Sequence, residues 1–342
     1  MKKISLLFIT LILTSLMSGC QDDSKVVRVY NWGDYIDESV LDKFEEETGY
    51  KVNYSLFETC EDMYTKIVNS KASYDVIIPS DYMIERMAVE GLLAEIDFNN
   101  VPEYNNIDEE YKNLSYDPEN KYSVPYMWGT VGILYNKKMV NGPVTSWKDL
   151  WDEQYKGSIL MMNSQRDSIG ITLKMLGYSL NSTEEKALEE TKEALIEQSP
   201  LVLAYVVDEG KDKMIAGEAA LALVWAGDAV YCMKENPDLD YVIPKEGSNI
   251  FFDAMAIPKN CKNKEGAESF INFMCRPDIA ALNAEYIGYS SPSSKARELM
   301  GEEGQNPVAY PDIKKHDLEI FTALGDKVKI YDKIWTEVTS SF

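Results

Sequence analysis

The sequence predicts an α/β protein of two lobes closing on a central cleft, and three observations carry that expectation. The chain has 342 residues, more than one ordinary domain needs and a fair length for two. Strand-like and helix-like segments alternate in two separate series, as parallel sheets flanked by helices require. Two extended apolar stretches, residues 124–135 and 250–257, break the series where a chain would cross from one lobe to the other.

The first series begins at residues 26–30, which alternate apolar and polar and read as a strand. Residues 31–35 (NWGDY) read as a turn. Asp37 is placed to cap a helix with Val40, Leu41 and Phe44 on one face, stopped by Gly49. Residues 52–57 alternate again, and a helix carrying Met63 and Ile67 follows. Residues 74–78 read as a buried strand ended by Pro79 and Ser80, and residues 82–89 as a helix. The second series places strands at 158–162, 201–207 and 220–225, with helices at 169–176, 184–197 and 211–216. After the second crossing come helices at 265–275 and 277–286, a turn at 288–292, and a helical stretch over 313–338. The expected division is residues 26–130 with 254–305 in one lobe, and 131–253 with 306–342 in the other.

The N-terminus reads as an address. Lys2 and Lys3 precede an apolar run over residues 4–17, short of the roughly 20 residues a membrane-spanning helix needs. Ser18 and Gly19 then stand immediately before Cys20. This is the layout of a cleaved signal peptide, and it resembles a bacterial lipoprotein signal, which implies that Cys20 becomes the lipidated N-terminus with residues 1–19 as signal and 20–25 as tether; an ordinary secretory signal with a chance cysteine is the alternative. The expected location is the outer face of the cell membrane, lipid-anchored through Cys20. Four cysteines remain, Cys60, Cys232, Cys261 and Cys275; they permit two disulfides, though no spacing selects a pairing, and buried free thiols are the equal alternative.

Composition narrows the function. Apolar residues make up 45% and charged residues 27%, and the 22 Tyr, 10 Phe and 6 Trp supply ample core material. The charge balance is 34 basic to 57 acidic, a net of -23, which repels phosphate backbones and makes nucleic acid a poor partner. With His316 the sole histidine, a His-ligated zinc site, a Ser-His-Asp triad and a Cys-His dyad are all poorly supplied. No enzyme activity, metal or cofactor is expected, and a monomer is.

In doubly wound sheets, ligands lie beyond the C-terminal strand ends. The residues collected there are Trp32, Asp34, Tyr35, Ser80, Tyr82, Asp167, Trp225, Asp228, Phe251, Asp253 and Tyr289, a set with no Lys or Arg. Carboxylates between aromatic walls suit a cation with apolar stretches, because aromatic faces attract ammonium at roughly 0.5–2 kcal/mol per contact. Several members have plainer roles open to them. Ser80, Asp167 and Asp228 could cap helices, Trp32 and Tyr35 could pack a turn, and Trp225 and Phe251 could be core. Asp253 resists such a reading, because it interrupts the apolar run IFFDAMAI, where an unpaired carboxylate is costly.

Ten short motifs then give a resemblance. YNWGDY (30–35), EETGYKV (46–52), YDVIIPS (74–80), YSVPYMWG (122–129) and TSWKDL (145–150) are followed by WAGD (225–228), IPKEG (243–247), FDAMAIP (252–258), NKEGA (263–267) and RPD (276–278). In this order the chain resembles the spermidine/putrescine-binding proteins of bacterial ABC importers. The resemblance implies the type II periplasmic-binding-protein fold, a polyamine ligand and the permease of an ABC transporter as partner. It also implies that all eleven residues named above contact the ligand. Asp228 is similar to putrescine-type members and Tyr82 to spermidine-type members, so both ligands are expected to bind. A receptor of the same fold for another small cationic solute is the alternative.

Overall fold

The computed structural model describes residues 23–70 and 72–342; the signal segment and Cys20 lie outside them. The first lobe opens with β1 (Val26–Trp32), α1 (Glu38–Thr48), β2 (Lys51–Phe57), α2 (Cys60–Asn69), β3 (Val76–Ile77), α3 (Asp81–Val89) and β4 (Leu93–Ala94). The long β5 (Ser123–Asn136) leads into β6 (Ile159–Met162), α4 (Gln165–Met175), α5 (Glu185–Gln198), β7 (Val202–Val206), α6 (Glu209–Ile215), β8 (Leu221–Trp225), α7 (Ala226–Glu235) and β9 (Leu239–Val242). The chain returns through β10 (Ser248–Pro258) to α8 (Lys264–Met274), α9 (Pro277–Ile287) and α10 (Ser294–Leu299), and closes with β11 (Leu318–Glu319) and α11 (Val328–Ser340).

Local chemistry accounts for the boundaries. Asp37 accepts the Ser39 amide to start α1, and Gly49 ends it at φ 75°, a conformation side chains disfavour. Ser164 caps α4, so the helix starts at Gln165 rather than 169, and Asp167 falls inside its first turn instead of capping it. The sequence also expects helix throughout 313–338, and here the structure differs. Leu318 and Glu319 pair in parallel with Ser248 and Asn249, Phe321 is buried under Gly170, and the α-helix begins only at Val328. Ladder bonds and a buried ring outweigh helical propensity there.

The strand order is β2-β1-β3-β10-β5-β8-β6-β7. β2, β1 and β3 run parallel, as do β7, β6 and β8. Between these sets β10 and β5 pair antiparallel with each other, and each pairs antiparallel with its neighbour on the other side. The expected parallel sheets are therefore joined by an antiparallel pair that belongs to both. Every residue of β10 is buried, and the β10–β5 register shifts between Asp253 and Ala254. The C-terminal ends of β1, β3, β6 and β8 converge beside that shift, which positions the site.

Candidate ligand-binding cleft

All eleven side chains that the sequence singles out line one cavity of about 360 Å³ between the two sets of strands. β1 ends at Trp32, whose ring lies on Phe57 with centroids 4.6 Å apart and whose indole N–H donates to Ile78 O at 2.8 Å. The chain turns through Asp34 at φ 45° and buries Tyr35. Tyr126 OH donates to Tyr35 O at 2.6 Å, and Asn283 Nδ2 donates to Tyr126 OH at 2.7 Å, so the turn is fixed from α9 and β5.

Tyr35 OH donates to Asp253 Oδ2 at 2.7 Å, and Ser80 Oγ donates to Asp253 Oδ1 at 2.6 Å. Ser80 is the cap residue of α3 but makes no capping bond with its side chain, which turns to Asp253 instead. Burial raises the Asp253 carboxyl to about 6 against these two hydroxyls, which favour its charged form. Other buried carboxylates in the chain are built differently. Asp75 accepts the amides of Arg28, Lys262 and Asn263, Asp117 those of Lys121, Tyr122 and Ser123, and Asp81 those of Tyr82 and Phe252. Those three are structural anchors. Asp253 faces the cavity, each oxygen holding one neutral hydroxyl with acceptor capacity left over. No Lys or Arg among the described residues makes an ion pair with it.

Two more carboxylates enter from the opposite side. Asp167 accepts Ser164 Oγ at 2.5 Å; burial raises it to about 6, with Ser164, Arg166 and Trp225 opposing the shift. Asp228, in the first turn of α7, accepts Tyr289 OH at 3.2 Å, and burial raises it too to about 6 while Lys211 opposes the shift. Tyr289 meets Tyr35 edge-on at 4.9 Å and Phe251 at 6.2 Å, forming an aromatic wall between Asp228 and Asp253. Tyr289 packs so tightly on Gly227 that a Cβ there would lie 1.9 Å from its ring. Tyr82 OH donates to Glu61 Oε1 at 3.1 Å, and the Arg166 guanidinium sits 4.8 Å from its ring.

The structure adds residues that the sequence does not flag, among them Phe57, Glu61, Asp208, Lys211 and Phe321. Lys211 corrects the expectation of a cleft without cations. Read as starting a short helix at 211, it lies within a helix that starts at Glu209, and its ammonium pairs with Asp34 at 2.9 Å across the cleft. Nothing in its sequence neighbourhood marks this contact, because Asp34 is remote in the chain. Glu61 likewise looks like an ordinary carboxylate in the first turn of a helix. The four cysteines are all free thiols. Among the described residues no cluster suits a metal ion and no helix is long and apolar enough to cross a membrane.

Known proteins resemble this chain along most of its length. The family model described as bacterial extracellular solute-binding protein matches residues 39–312. The chain is 40% identical to the spermidine/putrescine-binding periplasmic protein of Escherichia coli over 296 residues, covering 86% of this chain and 85% of that one. Among solved structures it is similar to the spermidine/putrescine ABC transporter substrate-binding protein PotD of Streptococcus pneumoniae, with 42% identity, a TM-score of 0.78 and coverage of 93% and 99%. It is also similar to the TpPotD lipoprotein of Treponema pallidum, with 27% identity, a TM-score of 0.80 and coverage of 92% and 99%.

Proposed function

The chain belongs to the bacterial extracellular solute-binding proteins, and from that premise we propose that it is the polyamine receptor of an ABC importer, taking putrescine and spermidine. The carrying observation is Asp253: a buried carboxylate in a cavity, held by two neutral hydroxyls, with no Lys or Arg among the described residues paired to it. An ammonium is what such a group lacks. The Tyr35, Tyr289, Phe251 and Trp225 rings are suited to cover the methylenes between charges, with Asp167 and Asp228 as further anchors. The names of the relatives at 40% and 42% identity point the same way.

In this reading the two lobes are residues 26–130 with 254–305, and 131–253 with 306–342. The protein binds without turnover, acts as a monomer and hands its ligand to a membrane permease. It is tethered outside the membrane by lipid on Cys20, a placement that a lipid mass on the mature N-terminus tests. Calorimetric titration of ligand-stripped protein with putrescine, cadaverine, spermidine and spermine tests the whole. Saturable binding of putrescine or spermidine is expected. Binding of none of the four overturns the reading in favour of another small cationic solute.

A further inference from the structure

Lys211 is the one Lys or Arg among the described residues that line the cavity. Its Nζ lies 2.9 Å from Asp34 Oδ2 and 3.7 Å from Asp208 Oδ1, and its side chain is only 14% exposed. Asp34 comes from the turn after β1 and Lys211 from α6, so the pair spans the cleft. The two elements meet closely: a Cβ on Gly33 would lie 2.6 Å from Asp208 Oδ2. Burial works against the Lys211 charge, but Asp228, Asp34 and Asp208 outweigh it and hold the ammonium protonated. Lys211 in turn is the cation that favours ionised Asp228.

A lysine side chain is a primary ammonium on a run of methylenes, the same chemistry as one end of a linear polyamine. We propose that Lys211 is a resident ammonium occupying the cationic position between Asp34 and Asp208, and that it sets how many positive charges a ligand can bring into the cleft. This rests on the polyamine reading above. With Lys211 in place, a diamine can use the carboxylates that lack a protein cation, whereas an additional ligand ammonium meets like charge at the Asp34 end. Without it, Asp34 and Asp208 face the cavity unpaired and form a further ammonium position.

The test is the ratio of spermine to putrescine affinity, measured by titration calorimetry in wild type, Lys211→Met and Lys211→Arg. Lys211→Met is expected to shift the ratio toward spermine by about tenfold or more, the scale of one like-charge contact in a partly desolvated site. Lys211→Arg, which keeps the charge, is expected to retain the wild-type ratio. Lys211→Gln is read in the same way if circular dichroism shows the Met variant poorly folded. Equal weakening of all ligands in the neutral variants would make Lys211 only a clasp between lobes and overturn the inference, as would an unchanged ratio. A shift in Lys211→Arg matching that of Lys211→Met overturns it as well. Wild type that binds no polyamine removes the polyamine reading itself, so the two failures are told apart.

Discussion

Replacing Asp253 by Asn keeps a group of the same shape within reach of Tyr35 and Ser80 but removes the charge. Losing one partner of a buried ion pair costs about 3–5 kcal/mol. Asp253→Asn is therefore expected to weaken polyamine binding at least about a hundredfold by calorimetry. An unchanged Kd would take the ligand away from Asp253. Three of the carboxylates lining the cleft also fix a pH dependence. Asp253, Asp167 and Asp228 are each raised by burial to about 6, whereas an unfolded Asp titrates near ~3.9. Between those values the ligand-free fold holds more protons than the unfolded chain. Its stability from these groups thus rises as pH falls through that window, the reverse of the usual carboxylate effect. Ligand binding runs the other way, because an ammonium needs the ionised form. Affinity should drop about tenfold between pH 7 and pH 5 for each carboxylate that must ionise. The ligand-induced rise in Tm should accordingly be larger at pH 7.5 than at pH 5.5, and a rise of equal size at both would contradict these assignments.

At the scale of elements, α7 and the segment after α9 are locked by the contact of Tyr289 with Gly227. Gly227→Ala must push the ring out of the wall between Asp228 and Asp253. Overpacking of this kind costs about 1–3 kcal/mol. The expected outcome is a folded protein with a lowered Tm and weakened binding of every polyamine; wild-type affinity would show that Tyr289 can move without consequence. Elements with strong periodicity and caps were legible in the sequence: α1 between Asp37 and Gly49, the apolar β5, and β10 with its one acidic interruption. Trp32, Ser80 and Trp225 were legible because strand ends before helices are where such folds gather side chains, whereas Phe251 and Asp253 lie inside β10 and Tyr289 follows α9. What escaped depends on partners distant in the chain. The strand at Leu318–Glu319 exists because Ser248 and Asn249 offer it a ladder, and Lys211 reaches the cleft because Asp34 does. Neither leaves a local signature in composition or period.

For the whole molecule, the decisive feature is that β5 and β10 are hydrogen-bonded to each other over the passage between lobes. Two independent strings of chain would let the lobes slide or swing in several directions. A paired ribbon bends and twists easily but resists shear and stretch, because sliding would break every rung at once. The closing movement is therefore expected to be a single rotation. Distances from several spin-label pairs, one label on each lobe, should fit one axis with and without ligand; a fit requiring translation would refute this. The ribbon's weak point is the register shift between Asp253 and Ala254, where the rungs are out of step. The carboxylate proposed to grip the ligand thus stands at the fulcrum. There, a small displacement of the bound group has the shortest lever arm to the hinge and the longest to the lobe surfaces. On the proposed receptor reading, occupancy of a site a few ångströms across would in this way be converted into a change of outline that a membrane partner reads from outside.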